Sequence, residues 1–204
     1  MSHPIENNSE DKHLVDLVLN GDTAVFGRII KNTEGLVAQI VFKMIPNAED
    51  RKDIIQDIYM KSYNKLKGFK FQSSLSTWIW QISFNTCLSW LDKKKFVLID
   101  DLYDSGDDKD SAIETLYFNG KIADPNSSEM NLVQKDLASI FRREIDNLSP
   151  LYKTLVTLYH QEGLSYDELV LITGLPPGTV KSYLFRARKT LKDNLFSKYK
   201  KEAL

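Results

Sequence analysis

The residues best placed to do chemistry lie near the carboxy terminus, where Lys181, Arg186, Arg188, Lys189 and Lys192 fall between Gly178 and Lys192 with no acid among them. Cations in that density offer charge to phosphates, and Ser182 near the start of the segment offers a hydroxyl to base edges. On a helix, Val180, Leu184, Ala187 and Leu191 are spaced by four, three and four, which gathers them on one buried stripe. Lys181, Ser182, Phe185, Arg186, Arg188, Lys189 and Lys192 then occupy the other faces. This is hydrogen-bonding and electrostatic chemistry rather than catalysis. Neither a phosphate-binding loop nor a nucleophile beside a base stands out, and the scattered carboxylates read as solvated faces.

An amphipathic helix with a merely solvated charged face has the same pattern, so the preceding turn decides. Ser165-Tyr166-Asp167-Glu168 has the spacing of a capping box and opens a short helix to Ile172. Thr173-Gly174-Leu175 follows, with Gly174 suited to a left-handed turn, and Pro176 and Pro177 fix the entry of the basic helix. The sequence therefore predicts a helix-turn-helix whose second helix reads DNA. Further upstream, a helix is expected over Leu132 to Ile145, then another capped by Ser149 with Pro150 in its first turn, ending at Gly163. Five phosphate contacts give a salt slope of only about −4 to −5, and base contacts add about 1–3 kcal/mol each. Such a module binds weakly alone. No heptad offers dimerisation, so its affinity must come from tethering.

The tether's other end is an amino-terminal module. Apolar residues recur at helical spacing through Leu14, Leu17 and Val18, then Phe26, Ile29 and Ile30, then Leu36 to Met44, break at Pro46 and Asn47, and resume from Ile54 to Leu66. Gly68 is expected to stop that helix, and a further one to run from about Leu75 to Leu91. No alternating segment of useful length appears. The fold class expected is all-α, with two small helical domains, 12–95 and 137–199, between tails 1–11 and 200–204. Residues 96–136 should be an acidic flexible linker, centred on a run of aspartates at 100–128. The net charge of −1 hides a strong division: residues 1–60 carry −4, 61–95 carry +6, 96–136 carry −7 and 137–204 carry +4.

Other classes are excluded by what is missing. The apolar runs are too short to span a bilayer, and the polar start shows no export signal, so a cytoplasmic chain is expected. Cys87 is the sole cysteine and reads as a small half-buried apolar residue, while His3, His13 and His160 read as surface positions; no metal and no cofactor is expected.

At this point the residues resemble a known family. Gly163-Leu164-Ser165-Tyr166-Asp167-Glu168-Leu169, Pro177-Gly178-Thr179-Val180-Lys181-Ser182 and Arg186-Ala187-Arg188 are similar to region four of extracytoplasmic-function sigma factors. Asp53-Ile54-Ile55-Gln56-Asp57-Ile58-Tyr59, and Ser76-Thr77-Trp78-Ile79 with Ile82 and Asn85, resemble region two.

The resemblance implies a non-enzymatic subunit that binds core RNA polymerase, through its β and β′ subunits, and promoter DNA, and that is controlled by an anti-sigma factor without itself entering a membrane. It places Asp53, Gln56 and Asp57 against the β′ coiled coil, although Ile54, Ile55 and Ile58 also suit a core. It gives single-strand reading of the −10 element to the loop 68–74 and the helix after it. Lys65, Lys67 and Lys70 suit the backbone, Phe69 or Phe71 an unstacked base, and Gln81, Asn85 and Ser89 a hydrogen-bonding pocket. Lys93, Lys94 and Lys95 would hold duplex upstream. It gives the −35 element to Thr179, Lys181, Ser182, Phe185, Arg186, Arg188 and Lys189. Trp78 reads as core and Trp80 as open to either role. Gln81, Lys181 and Tyr183 depart from arginines common in the family, which leaves the promoter sequence open.

Two other classes fit parts of the pattern. A conventional regulator would footprint DNA without polymerase, and a recombinase with a helix-turn-helix would cleave strands.

Overall fold

A computed structural model describes residues 8–93 and 132–199. Residues 1–7, His3 among them, the expected linker up to residue 131 with Lys94 and Lys95 before it, and the tail 200–204 lie outside the described residues. Within them the chain forms helices and no strand: α1 (Asn8–Leu19), α2 (Thr23–Met44), α3 (Ala48–Lys65), α4 (Leu75–Lys93), α5 (Leu132–Asp146), α6 (Pro150–Val156), α7 (Tyr166–Thr173) and α8 (Pro177–Tyr199). Two compact units divide the chain, Met1–Val97 with Ser165–Val180 and Leu98–Leu164 with Lys181–Leu204, so the boundary falls within α8.

In the first unit α2 is the central element. The Asp22 carboxylate accepts from the Ala24 and Val25 amides at 3.1 and 3.3 Å and starts the helix. The two apolar clusters read at 26–30 and 36–44 lie on one 22-residue helix, because nothing between them breaks it. Thr33, buried between the clusters, returns its hydroxyl to the Ile29 carbonyl at 2.8 Å and meets Tyr59 Oη at 3.2 Å, tying α2 to α3. Pro46 breaks the helix as expected. Asn47 Oδ1 then accepts from the Glu49 amide to begin α3. Arg51 reaches back, its Nε donating to the Ile45 carbonyl at 2.8 Å and Nη2 to that of Pro46 at 3.0 Å, and so closes the end of α2.

α3 stops in a tight turn, Leu66–Gly68, closed by the Phe69 amide on the Leu66 carbonyl. Gly68 is not left-handed there; tightening of the last turn ends the helix instead. Ile40, Ile58, Ile79 and Leu91 from α2, α3 and α4 are fully buried, each contributing about 1.5–3 kcal/mol of hydrophobic stabilisation. Cys87 is not half-buried but wholly enclosed, and burial pushes its thiol up to about 12. α7 lies in this unit against α4. α1 starts at Asn8, a turn before the apolar period, with Glu10 and Asp11 in the first turn where free amides favour acids.

In the second unit, Ser149 Oγ accepts from the Tyr152 amide at 3.5 Å and Pro150 occupies the first turn of α6, as read from the sequence. The helix then widens into a π turn over Thr157–Gln161, where the Glu162 amide reaches the Thr157 carbonyl at 3.1 Å. Gly163, at φ +70°, ends it. Leu151, Leu155 and Leu158 are buried here, as are Leu184, Ala187 and Leu191 of α8.

The turn chemistry forms as expected. Ser165 and Glu168 make the reciprocal box, amide to Oε2 at 2.8 Å and amide to Oγ at 3.2 Å. Gly174 is left-handed at φ +69°. The Pro176 carbonyl accepts from the Thr179 and Val180 amides, opening α8.

Candidate nucleic-acid interface

Three surfaces carry the residues that the sequence singled out. The first is the loop from Gly68 to Ser74 with the exposed side of α4. Phe71 holds φ +55°, a left-handed backbone that costs a phenylalanine about 1–2 kcal/mol. Its ring lies 4.6 Å from that of Phe69, which lies 5.0 Å from that of Trp78. Phe69 is only 7% exposed, so it supports the stack, while Phe71 is partly exposed. Lys65, Lys67 and Lys70 are exposed. On α4, Asn85 and Ser89 are exposed and Gln81 half-buried, one turn apart on one face; Ser89 Oγ donates to the Asn85 carbonyl at 2.9 Å. A cleft of about 280 Å³ runs beside Lys70, Gln72, Ser73, Trp78 and Gln81. Trp78, read as core, is half-buried: it packs on Phe69 and also lines this cleft. Trp80 is also half-buried, its indole N–H enclosed without an acceptor among the described residues.

The loop's supports were not read from the sequence. Asp11 Oδ2 accepts from the Leu75 amide at 2.7 Å, and Lys12 Nζ stands 5.9 Å from the Phe71 ring centre. Neither contact leaves a local signal, because each joins α1 to residues about sixty positions away.

The second surface is on α3. Asp53, Gln56 and Asp57 are exposed on one face, with Ile54 and Ile58 buried behind them and Ile55 partly so. Asp57 pairs with Lys61 at 2.7 Å. Beside Gln56 an apolar groove of about 480 Å³ runs past Phe26, Ile30, Met60 and Tyr63. Met60 is 58% exposed, a large apolar side chain left to solvent.

The third surface is α8. Lys181, Ser182 and Lys189 are exposed, and Thr179, Phe185, Arg186 and Lys192 half-buried, around the buried stripe. Arg188 is placed differently from the outward cation expected. Its guanidinium lies 5.4 Å over the Tyr159 ring, and its Nε donates to His160 Nε2 at 3.4 Å. The π turn brings both partners to it. His160 is therefore not the surface residue that the sequence suggested.

Burial, and then the Arg188 charge, lower the His160 pKa from 6.5 to about 4. The unfolded chain takes up this proton first on acidification, so stability of the second unit should decline as pH falls from about 6.5 to about 4 and then level. His160→Gln should flatten that dependence in pH-resolved thermal unfolding.

Comparisons with known proteins bear on the family of the chain. Residues 29–97 match the family model for sigma-70 region 2, and residues 138–191 that for sigma-70, region 4. The ECF RNA polymerase sigma-E factor of Escherichia coli K12 is 30% identical over 183 residues, 89% of this chain and 92% of the relative. That of Haemophilus influenzae is 28% identical over 193 residues, 91% and 95% of the two chains. Among solved structures, CnrH in complex with the cytosolic domain of CnrY aligns with a TM-score of 0.58 at 18% identity, over 92% of this chain and 98% of that one. The sigma factor RpoE of Bartonella quintana, in complex with the anti-sigma factor NepR, aligns at 0.56 and 21%, over 83% and 96%. At those identities the structural likeness is one of fold.

Proposed function

The chain belongs to the extracytoplasmic-function family of RNA polymerase sigma factors, and on that premise we propose how its surfaces divide the work of initiation. A sigma factor binds core RNA polymerase and directs it to particular promoters. In this chain the acidic face of α3, Asp53, Gln56 and Asp57, docks on the β′ coiled coil. The loop 68–74 and the Gln81, Asn85 and Ser89 row of α4 capture the −10 element as single strand. Lys181, Ser182, Arg186 and Lys189 of α8 hold the −35 element, with Thr179 and Phe185 beside them. Residues 12–95 and 137–199 act as the two modules, and 96–136 as the acidic tether between them.

Opening needs no hydrolysis by the chain, because base pairs are exchanged for contacts to the exposed strand. The chain is not an enzyme, needs no cofactor and works in the cytoplasm. An anti-sigma factor restrains it by covering the same surfaces.

The observation that carries this reading is the α4 row: an exposed asparagine and serine for base edges, next to a loop that carries exposed Lys70 and a partly exposed Phe71, with exposed Lys65 and Lys67 just before it. Run-off transcription across genomic fragments tests it. RNA should require both core polymerase and this chain, whereas a footprint by the chain alone would favour a free-standing regulator. Asn85→Ala should lower open-complex formation about tenfold, the effect of removing one base-edge interaction, with core binding unchanged; permanganate reactivity at the −10 element reports it.

A further inference from the structure

We propose that Asp11 and Lys12 form a brace that positions the −10-reading loop, so that promoter opening depends on two residues of α1 outside the reading surface. The inference deepens the assignment of loop 68–74 and α4 to single-strand capture and rests on it.

Asp11 is only 7% exposed, and a carboxylate is costly to bury without compensation. Its compensation is the amide of Leu75, the first residue of α4, at 2.7 Å across 64 positions of sequence. The start of α4 already has a local cap, since Ser74 Oγ accepts from the Thr77 amide at 3.1 Å. The remote carboxylate therefore adds something that helix initiation alone does not need: a fixed link between α1 and the end of the loop. The next residue fixes the loop's other half. Lys12 Nζ stands 5.9 Å from the centre of the Phe71 ring, and Phe69 packs on that ring at 4.6 Å. Phe71 is the one non-glycine residue with positive φ among the described residues, and its strained backbone needs such support. Neighbouring residues of one helix thus secure both ends of the stretch from Phe71 to Leu75. A loop held in its capturing shape gives up less freedom when a base enters, which is how preorganisation raises affinity.

Burial raises the Asp11 pKa above its ordinary value, the Leu75 hydrogen bond opposing that shift. An asparagine there keeps an acceptor for the amide without burying charge, which makes Asp11→Asn the conservative rescue.

The test uses holoenzyme assembled from the full chain and a promoter found by run-off transcription. It compares Asp11→Ala, Asp11→Asn, Lys12→Met and, as a stability control remote from the loop, Ile40→Val. Core affinity, permanganate opening of duplex promoter and capture of a −10 single-stranded oligonucleotide are measured well below each melting temperature. Asp11→Ala should lose opening and capture about five- to tenfold and Lys12→Met capture about two- to threefold, with core affinity retained within about twofold and Asp11→Asn close to wild type. Unchanged capture in Asp11→Ala overturns the proposal, as does an equal loss in Ile40→Val or a parallel loss of core affinity. If Asp11→Ala fails to fold, Lys12→Met decides, and unaltered capture overturns the brace. A wild-type chain that opens no promoter with core polymerase is a separate readout: it refutes the functional reading itself, and the brace with it.

Discussion

Reversing both acids on α3, Asp53→Lys with Asp57→Lys, is expected to lower affinity for core polymerase by about a hundredfold or more, since like charges placed across an interface cost several kcal/mol and each 1.4 kcal/mol is about tenfold. Both side chains are exposed, four residues apart, and leave the packing of α3 to Ile54, Ile58 and Tyr59. The fold should therefore survive. The exposed Asp57–Lys61 pair contributes little, and the new lysine beside Lys61 costs about 0.2–0.5 kcal/mol. Chemical denaturation should show an almost unchanged midpoint while holoenzyme assembly is lost. A partner that reads the acids as charge responds in this way; one that uses only the groove at Met60 and Tyr63 would retain most of its affinity.

The second large effect is on α8. Arg186→Ala with Lys181→Ala should weaken holoenzyme binding at the −35 element about ten- to a hundredfold, and each phosphate no longer neutralised should make the salt slope shallower by about 0.9. Arg188→Ala should behave otherwise. Its guanidinium is engaged by Tyr159 and His160, so its loss should destabilise the second unit and leave the salt slope nearly unchanged. Four outward cations then bring the expected slope for this helix to about −3 to −4 rather than the −4 to −5 given by counting charges. Salt titrations of the two variants separate these cases.

That difference illustrates what could be read before the fold was known. The helix-turn-helix was legible because its signals are local: a serine three residues before a glutamate, a glycine able to turn left-handed, and an apolar stripe at spacings of four, three and four. The α3 face and the α4 row were picked out by the resemblance to the family, and one helical period then fixed which of their residues share a side. What stayed hidden depends on chain segments distant in sequence. Nothing near Arg188 indicates that a π turn 28 positions earlier will deliver His160 to it. Nothing near Leu75 announces that its amide will be met by Asp11. Phe69 and Phe71 were indistinguishable by composition and spacing, because only packing against Trp78 decides which ring is enclosed. Cys87 and Thr33 were likewise settled by neighbours on other helices, and the acidic tether was legible as composition alone.

The most direct measurement is permanganate probing of one promoter with the chain alone, with core polymerase alone and with both. Thymines of the −10 element should become reactive only in the complete mixture, and lose most of that reactivity when Asp53→Lys/Asp57→Lys or Asn85→Ala replaces the native chain. Reactivity produced by the chain without polymerase, or the same reactivity from polymerase whether or not the chain is added, would contradict two helical modules that open DNA only when core polymerase aligns them.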